Sequence, residues 1–324
     1  MKILVTGAAG FIGHNVVRFL EQQKHEIFGV DNRTNYGFIP QDELEYLFKE
    51  RARRMHTFPL VGDIRNSDDM RHRVGVFNIH TIVHLASFPR QKVVEQDPVL
   101  ASEVMITGLI NLLEAARIHQ VKRFVYVSSS MVYGDFENDV NEDAVCNPIG
   151  QYGIMKLMGE QLVKDYARRY GFEYVIIRPS AVYGEYDVED RVVSKFILSA
   201  MRGETLQVRG AGEVLDFTYV EDAAMGIALA TTNEYTKNKI YNITRSDTKL
   251  TTLFEAAELA VAIVGRGNIK ILDRDLNFPK RGRLNIDRAI QDFDYDPQIG
   301  IEEGFRRYYD WFMKSYYWQQ RLSN

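Results

Sequence analysis

Tyr152 and Lys156 stand four residues apart, a spacing that puts both side chains on one face of a helix. A lysine ammonium beside a phenol favours the phenolate and lowers its pKa from about 10. A tyrosine tuned in this way is a general base toward a hydroxyl group near neutral pH. An ordinary exposed pair would look the same in isolation. Upstream, three hydroxyls in a row, Ser128, Ser129 and Ser130, follow the apolar run Phe124-Val125-Tyr126-Val127. That places them at the carboxyl end of a strand, where open α/β sheets hold their ligands. A serine there can hydrogen-bond a reacting hydroxyl and aim it at Tyr152, whereas a strand end rich in hydroxyls can also serve only for capping.

The second chemical signal is Gly7-Ala8-Ala9-Gly10-Phe11-Ile12-Gly13. Three glycines at this spacing, between a short apolar run and a helical one, permit a tight turn, close approach of a pyrophosphate and close packing of helix on strand. The helix start offers free N–H groups and a positive dipole end to phosphate. Asp31 follows Gly13 by eighteen residues, near the ~20 expected for the acid that binds a ribose 2′-hydroxyl. An acid there repels a 2′-phosphate, so NAD(H) is expected over NADP(H), with Arg33 as the one residue favouring NADP(H). Asp63-Ile64 closes a third apolar run, where Asp63 either reaches an adenine or caps a helix.

These groups need a scaffold, and the first half of the chain supplies one. Strands are expected at Lys2–Thr6, Glu26–Asp31, Met55–Val61, Thr81–His84, Lys122–Ser128 and Glu173–Arg178. Helices are expected near Phe11–Gln23, Glu95–His119 and Gln151–Tyr170. Strands alternating with helices mark βαβ units and a parallel sheet. The expected fold is α/β, a Rossmann-type doubly wound parallel sheet with a smaller C-terminal α/β substrate lobe. Residues 1–183 form the dinucleotide-binding domain, with a segment at roughly 214–245 returning to it, and residues 184–324 form mainly the lobe. In that half, helices are expected near Val192–Met201, Leu253–Val264 and Ile301–Tyr317, with strands near Leu206–Val208 and Lys239–Asn242.

The 324 residues carry a formal net charge of -4 and no long Lys/Arg run, which argues against a nucleic-acid partner. The densest basic cluster, Arg51, Arg53 and Arg54, reads as a solvated helix end. Cys146 is the only cysteine, so no internal disulfide forms and a reducing compartment is expected. The histidines show no metal-ligand spacing, so no metal is expected. The N-terminus reads as a buried strand and not a signal peptide. No uninterrupted apolar stretch approaches the ~18 residues of a membrane span; the expectation is a soluble, cytoplasmic protein with no membrane partner.

The glycine pattern is GxxGxxG, and with Tyr152-Gly153-Ile154-Met155-Lys156 downstream the chain resembles the extended short-chain dehydrogenase/reductase superfamily, in its NAD-dependent epimerase/dehydratase branch. Further landmarks are Gly62-Asp63-Ile64-Arg65, His84-Leu85-Ala86-Ser87, Val127-Ser128-Ser129-Ser130, Arg178-Pro179-Ser180-Ala181-Val182-Tyr183-Gly184 and Asp216-Phe217-Thr218-Tyr219-Val220-Glu221-Asp222. The resemblance covers essentially the whole chain and implies an enzyme acting on nucleoside-diphosphate sugars, UDP-sugars foremost. It implies catalysis by Ser129, Tyr152 and Lys156, with Ser130 as the next choice of serine. It implies a cofactor site built from Gly7, Gly10, Phe11, Ile12, Gly13, Asp31, Asn32, Asp63, Ile64, Leu85, Ala86, Ser87, Ser128, Tyr152, Lys156 and Pro179. Its two long helices form an intersubunit four-helix bundle in relatives, so a homodimer is expected. Ile106, Leu109, Ile110, Leu112 and Leu113 exceed a single apolar stripe, which a thick internal core would also explain.

The departures from the family pattern sharpen the reading. Dehydratases carry an Asp-Glu or Ser-Glu pair where this chain has Ser130 and Met131, and 3,5-epimerizing members a cysteine at Met131. Neither chemistry is expected with a methionine there. Oxidation at C4 followed by hydride return needs only the Ser–Tyr–Lys set and NAD, so 4-epimerization leads. A 4-keto-reductase, 4-dehydrogenase or decarboxylase is the alternative, and a non-catalytic NAD sensor a remote one. Ala181 replaces an asparagine that contacts the nucleotide diphosphate, Met105 another asparagine, Pro89 a cofactor-binding lysine and Leu215 an arginine that holds phosphate. A diphosphate still needs positive charge, for which Arg281, Arg191 and Arg283 are candidates. Ser129, Ser130, Arg90, Ala181 and Val208 complete the expected substrate contacts, and Phe88 and Gln91 are expected near the sugar.

Overall fold

A computed structural model describes residues 1–37 and 39–323. Seven parallel strands form its central sheet, in the order β11-β6-β5-β4-β1-β2-β3. The first six strands therefore run 3-2-1-4-5-6, the doubly wound arrangement with its switch point between β1 and β4. In chain order the elements of this half are β1 (Lys2–Thr6), α1 (Phe11–Gln22), β2 (Glu26–Asp31), α2 (Gln41–Arg53), β3 (Leu60–Val61), α3 (Ser67–Val76) and β4 (Thr81–His84). Then come α4 (Gln91–Gln96), α5 (Pro98–Ser102), a π-turn at Glu103–Thr107, α6 (Gly108–Ile118), β5 (Arg123–Val127), α7 (Gln151–Tyr170) and β6 (Glu173–Pro179).

The second half contributes β7 (Val182–Tyr183), α8 (Val192–Arg202), β8 (Thr205–Arg209), β9 (Val214–Leu215), β10 (Thr218–Tyr219), α9 (Val220–Thr232) and β11 (Lys239–Ile243). It ends with β12 (Thr251–Thr252), α10 (Leu253–Val264), β13 (Asn268–Leu272), α11 (Asp287–Phe293), α12 (Ile301–Lys314) and α13 (Tyr316–Ser323). Strand β11 returns to pair with β6. Away from the main sheet, β8 pairs with β13, and β7 and β9 pair with β10 and β12.

The sheet is apolar on both faces, as a parallel sheet covered by helices must be. One face packs Leu4, Ile82, Phe124 and Ile176 against the layer of α3, α6 and α7. The other packs Ile3, Val5, Val125 and Val175 against α1, α9 and α11. Each such side chain withdrawn from water contributes roughly 1.5–3 kcal/mol. A third cluster, around Phe196, Ile197, Tyr219, Phe305, Trp311 and Trp318, is the core of the C-terminal lobe.

Three expected elements differ in extent. The third strand is confined to Leu60–Val61, because Pro59 before it has no N–H to give a sheet ladder. The long helix expected from Glu95 begins at Gln91, breaks at Asp97-Pro98 and resumes with Asp97 capping the Leu100 N–H at 2.9 Å. Proline cannot continue the preceding turn, and it suits the first turn of the next. The composite Pro98–Ile118 is apolar and long enough to pass as a membrane span, yet half of its most apolar window is buried within the fold. The last helix is interrupted at Ser315, whose Oγ accepts the Trp318 N–H at 3.3 Å. Helices α3, α9 and α11 had no sequence expectation, and of α2 only its basic end at Arg51–Arg54 did.

Candidate active site

The turn after β1 requires its glycines. Gly7 has φ +71, and a Cβ on it would lie 2.8 Å from the Ala86 nitrogen; one on Gly13 would lie 2.0 Å from the Gly7 carbonyl oxygen. The chain thus brings β1, the loop after β4 and the start of α1 into contact at a point that admits no side chain. Gly10 is the N-cap of α1 and supplies no side-chain cap, leaving the first-turn N–H groups to whatever occupies the space in front of them. That space is a cavity of about 1170 Å³, walled by Gly7, Gly10, Phe11, Ile12 and Gly13 at one end. It continues past Asp31, Asn32, Ile64, Leu85, Ala86, Ser87 and Pro179 to Ser129, Tyr152 and Lys156.

Asp31 ends β2 with both carboxylate oxygens engaged: Oδ2 accepts from Ala9 N at 3.0 Å and Oδ1 from Arg33 N at 2.7 Å. Burial pushes its pKa up, against those bonds and the nearby Arg51 and Arg33. Arg33 stacks its guanidinium 5.5 Å from the Phe58 ring centroid and donates to Pro59 O, so it is drawn to the sheet edge. An acid at the strand end with its neighbouring arginine turned away fits a ribose diol and not a 2′-phosphate. The buried Ser87 Oγ has no hydrogen-bond partner among the described residues, a donor left for a ligand in this wall. With the glycine cradle, these features fit a dinucleotide.

Asp63 stands beside the cavity and not in its wall: its carboxylate pairs with Arg65 at 2.7 Å, which with an Asn32 bond holds its pKa below the usual range. It braces Asn32, which lines the cavity. Ser128 lines the cavity but gives its proton to Glu160 at 2.7 Å.

Ser129 begins a short 3₁₀ turn, its Oγ accepting Met131 N at 3.2 Å and bonding the Tyr152 phenol. Ser130 donates to Ser180 at 3.2 Å. Lys156 donates to the carbonyl of Val127 at 2.8 Å, which fixes its ammonium 5.8 Å from the Tyr152 ring. Gln91, at the start of α4, accepts the Tyr152 N–H at 3.0 Å and so ties the first turn of α7 to the loop after β4. Burial brings Lys156 down to about 7, with Glu160 opposing, and it pushes the Tyr152 phenol up, with Arg191 and Ser129 opposing. For Tyr152, desolvation outweighs these opposing groups.

Behind the set lies a buried polar network. Glu160, one turn beyond Lys156, takes two hydrogen bonds from Arg178 at 2.9 and 2.7 Å, with both side chains at 3 % exposure or less. His84 on β4 bonds Thr6 at 2.8 Å and is held neutral, down to about 3, by burial and then by Lys156.

At the substrate end, Arg90, Ala181, Arg191 and Arg281 line the cavity, as do Phe88 and Gln91. Arg90 pairs with Asp190, and Arg191 with Asp187 at 3.4 Å. Arg281 makes no hydrogen bond or ion pair among the described residues; burial brings it down to about 10 and Glu213 opposes. It is free to meet a diphosphate, as is Arg209, which also lines the cavity and has no hydrogen bond or ion pair among the described residues. Arg283 is spent on Asp139, outside the cavity wall. Val208 is also corrected: it is wholly buried in the lobe core, and the period of two along β8 sends Gln207 and Arg209 into the cavity instead. Ala181, with φ +40, offers no polar group.

Sequence reasoning missed Arg51, Tyr36 and the acids Asp187, Glu189 and Asp190, all of which line the cavity. Tyr36 packs on Phe88 with ring centroids 4.3 Å apart. Only Arg51 left a trace, in the basic cluster read as a solvated helix end. Its side chain is in fact 3 % exposed, and the outward reading holds for Arg53.

Residues 3–244 match the model of the NAD dependent epimerase/dehydratase family. Among solved structures, the UDP-glucuronic acid 4-epimerase of Bacillus cereus, in complex with UDP-glucuronic acid and NAD, superposes with a TM-score of 0.87 at 25% identity, over 96% of this chain and 98% of that one. A UDP-glucuronate 4-epimerase of Thermodesulfobacterium geofontis is 28% identical across 95% of each chain. The dTDP-glucose 4,6-dehydratase of Escherichia coli is 27% identical across 100% of this chain and 96% of that one.

Proposed function

The chain belongs to the NAD dependent epimerase/dehydratase family, and from that premise we propose that it inverts C4 of a nucleoside-diphosphate sugar, a UDP-sugar foremost. It is an NAD-dependent enzyme of the extended short-chain dehydrogenase/reductase type. The observation that carries the finer reading is the meeting of Ser129, Tyr152 and Lys156 on one cavity wall with Met131 beside them. The thioether cannot move a proton, so the wall holds base chemistry for one hydroxyl and nothing at Met131 for water loss. The names of the B. cereus and T. geofontis relatives support a UDP-sugar 4-epimerase.

NAD, when bound, supplies the acceptor for the C4 hydride and returns it. Ser129 holds the 4-hydroxyl toward Tyr152, which takes its proton as C4 is oxidised to a ketone. Lys156, fixed by Val127 O, keeps positive charge beside the phenolate. Arg281 and Arg191 grip the diphosphate, so the keto sugar can turn over while the nucleotide stays anchored. Tyr152 would then give its proton back to the C4 oxygen as the inverted hydroxyl forms.

The homodimer reading finds support on the surface. Ile154 and Met158, one turn apart on α7, are 52% and 48% exposed, and Val99 and Ile118 are exposed on the α5–α6 side.

The test is to incubate the purified protein with UDP-glucose, UDP-glucuronate and their GDP, CDP and dTDP counterparts without added cofactor, reading products by NMR. A C4 epimer is expected from one of them, and Tyr152→Phe should lower the rate by ~10²–10⁴-fold while bound NAD is retained. Turnover only with stoichiometric NAD(P)H would replace the epimerase by a net redox enzyme.

A further inference from the structure

Arg51 sits on the last turn of α2, on a stretch that sequence alone sends into solvent. Its guanidinium is buried, and it spends three of its five N–H groups on backbone carbonyls. Nη1 donates to Ala9 O at 3.1 Å, while Nε and Nη2 donate to Tyr186 O at 3.1 and 2.7 Å. Ala9 belongs to the glycine turn, and Tyr186 to the loop that enters the lobe. No carboxylate lies within ion-pair distance among the described residues; Asp187 and Asp31 act on it only from further off. Two N–H groups, one on each Nη, are therefore left over.

A desolvated cation with unspent donors and no carboxylate at ion-pair distance is stabilised further when an anion joins it. The place where this one sits selects the anion. It lines the same cavity as Gly10 and Phe11, beside the helix start that lacks a side-chain cap. Free helix N–H groups and a guanidinium fork on one spot make a site for a diphosphate. We propose that Arg51 binds the pyrophosphate of the dinucleotide cofactor, closing the glycine turn over it from the α2 side while tying that turn to the lobe at Tyr186. Of the two diphosphates the cavity would receive, the cofactor's is selected by the Ala9 contact; that of the sugar nucleotide falls to Arg281.

The test measures displacement of fluorescent NADH from the full-length protein by ADP and adenosine, and separately the binding of UDP by calorimetry, in wild type and in Arg51→Met. Loss of charge-assisted bonds to a diphosphate is expected to weaken ADP by about tenfold to a hundredfold, with adenosine within twofold and UDP binding unchanged. A purely structural tie would weaken ADP and adenosine together, and a substrate-side role would weaken UDP instead; either result, or no change in ADP, overturns the proposal. Should Arg51→Met fail to fold, Arg51→Lys gives the same reading. One ammonium in place of a fork should still weaken ADP several-fold and spare adenosine.

Discussion

Replacing Glu160 by glutamine removes one charge and almost no volume, at a position that touches neither ligand. In the folded protein Glu160 accepts from Arg178 twice, at 2.9 and 2.7 Å, and from Ser128 at 2.7 Å. In Glu160→Gln an amide nitrogen faces one of these donors, and the Arg178 guanidinium, 3 % exposed, stays buried without its anion. Breaking such a pair costs about 3–5 kcal/mol. With 324 residues at ~2.1 cal/mol/K each, the unfolding entropy is about 0.7 kcal/mol/K, so Tm should fall by about 4–7 °C.

The same substitution acts on Lys156, which burial holds near 7 while Glu160 raises it. Without the carboxylate that pKa drops, and the ammonium loses its proton at lower pH than before. If catalysis needs the cation, the alkaline limb of kcat/KM moves toward acid and the loss of activity is greater at pH 7.5 than at pH 6. Differential scanning fluorimetry and a pH–rate profile read the two effects separately. A Tm change under about 1 °C would refute the buried-pair argument. An alkaline limb that stays put, or moves to higher pH, would refute the electrostatic link between Glu160 and Lys156.

Two further perturbations probe other parts of the site. Asp31→Asn keeps the shape of the strand end but removes the charge that accepts from Ala9 and Arg33; NADH should bind about tenfold more weakly, with a smaller penalty for NADPH than in wild type. Equal losses for both cofactors, measured by fluorescence titration, would show that Asp31 does not set the preference. If the exposed Ile154 and Met158 form a subunit interface, sedimentation should find a dimer, converted to monomer by Ile154→Glu with Met158→Glu; a wild-type monomer would dismiss the interface.

Much of this protein was legible along the chain because the relevant signals are local. The positions of β1, β2 and β4 and the span of α7 follow from short apolar runs and helical periodicity bounded by glycine. The glycine turn and the spacing of Tyr152 and Lys156 state their geometry in sequence, since a positive φ or one helical turn involves only neighbours. Failures of extent also had local causes in hindsight: Pro59 and Pro98 were visible, but their power to end an element depends on whether packing outside compensates for a lost N–H.

What the chain by itself determined, then, is which groups share a turn, a strand end or a helix face. What the tertiary structure alone decided is which of them are dry and which are paired. Arg51 and Arg53 are two residues apart, yet one is sealed against Ala9 and Tyr186 and the other stands in water. Arg281 and Arg283 are equally close, yet Arg283 is consumed by Asp139 and Arg281 is left facing the cavity. Asp63 turns to Arg65, Val208 to the core and Ser128 to Glu160. Tyr152 carries a raised pKa because burial exceeds the help of its neighbours. Desolvation and ion pairing depend on every element that closes around a group, and those elements come from far along the chain; spacing can bring two side chains to one face, but only packing removes the water between them.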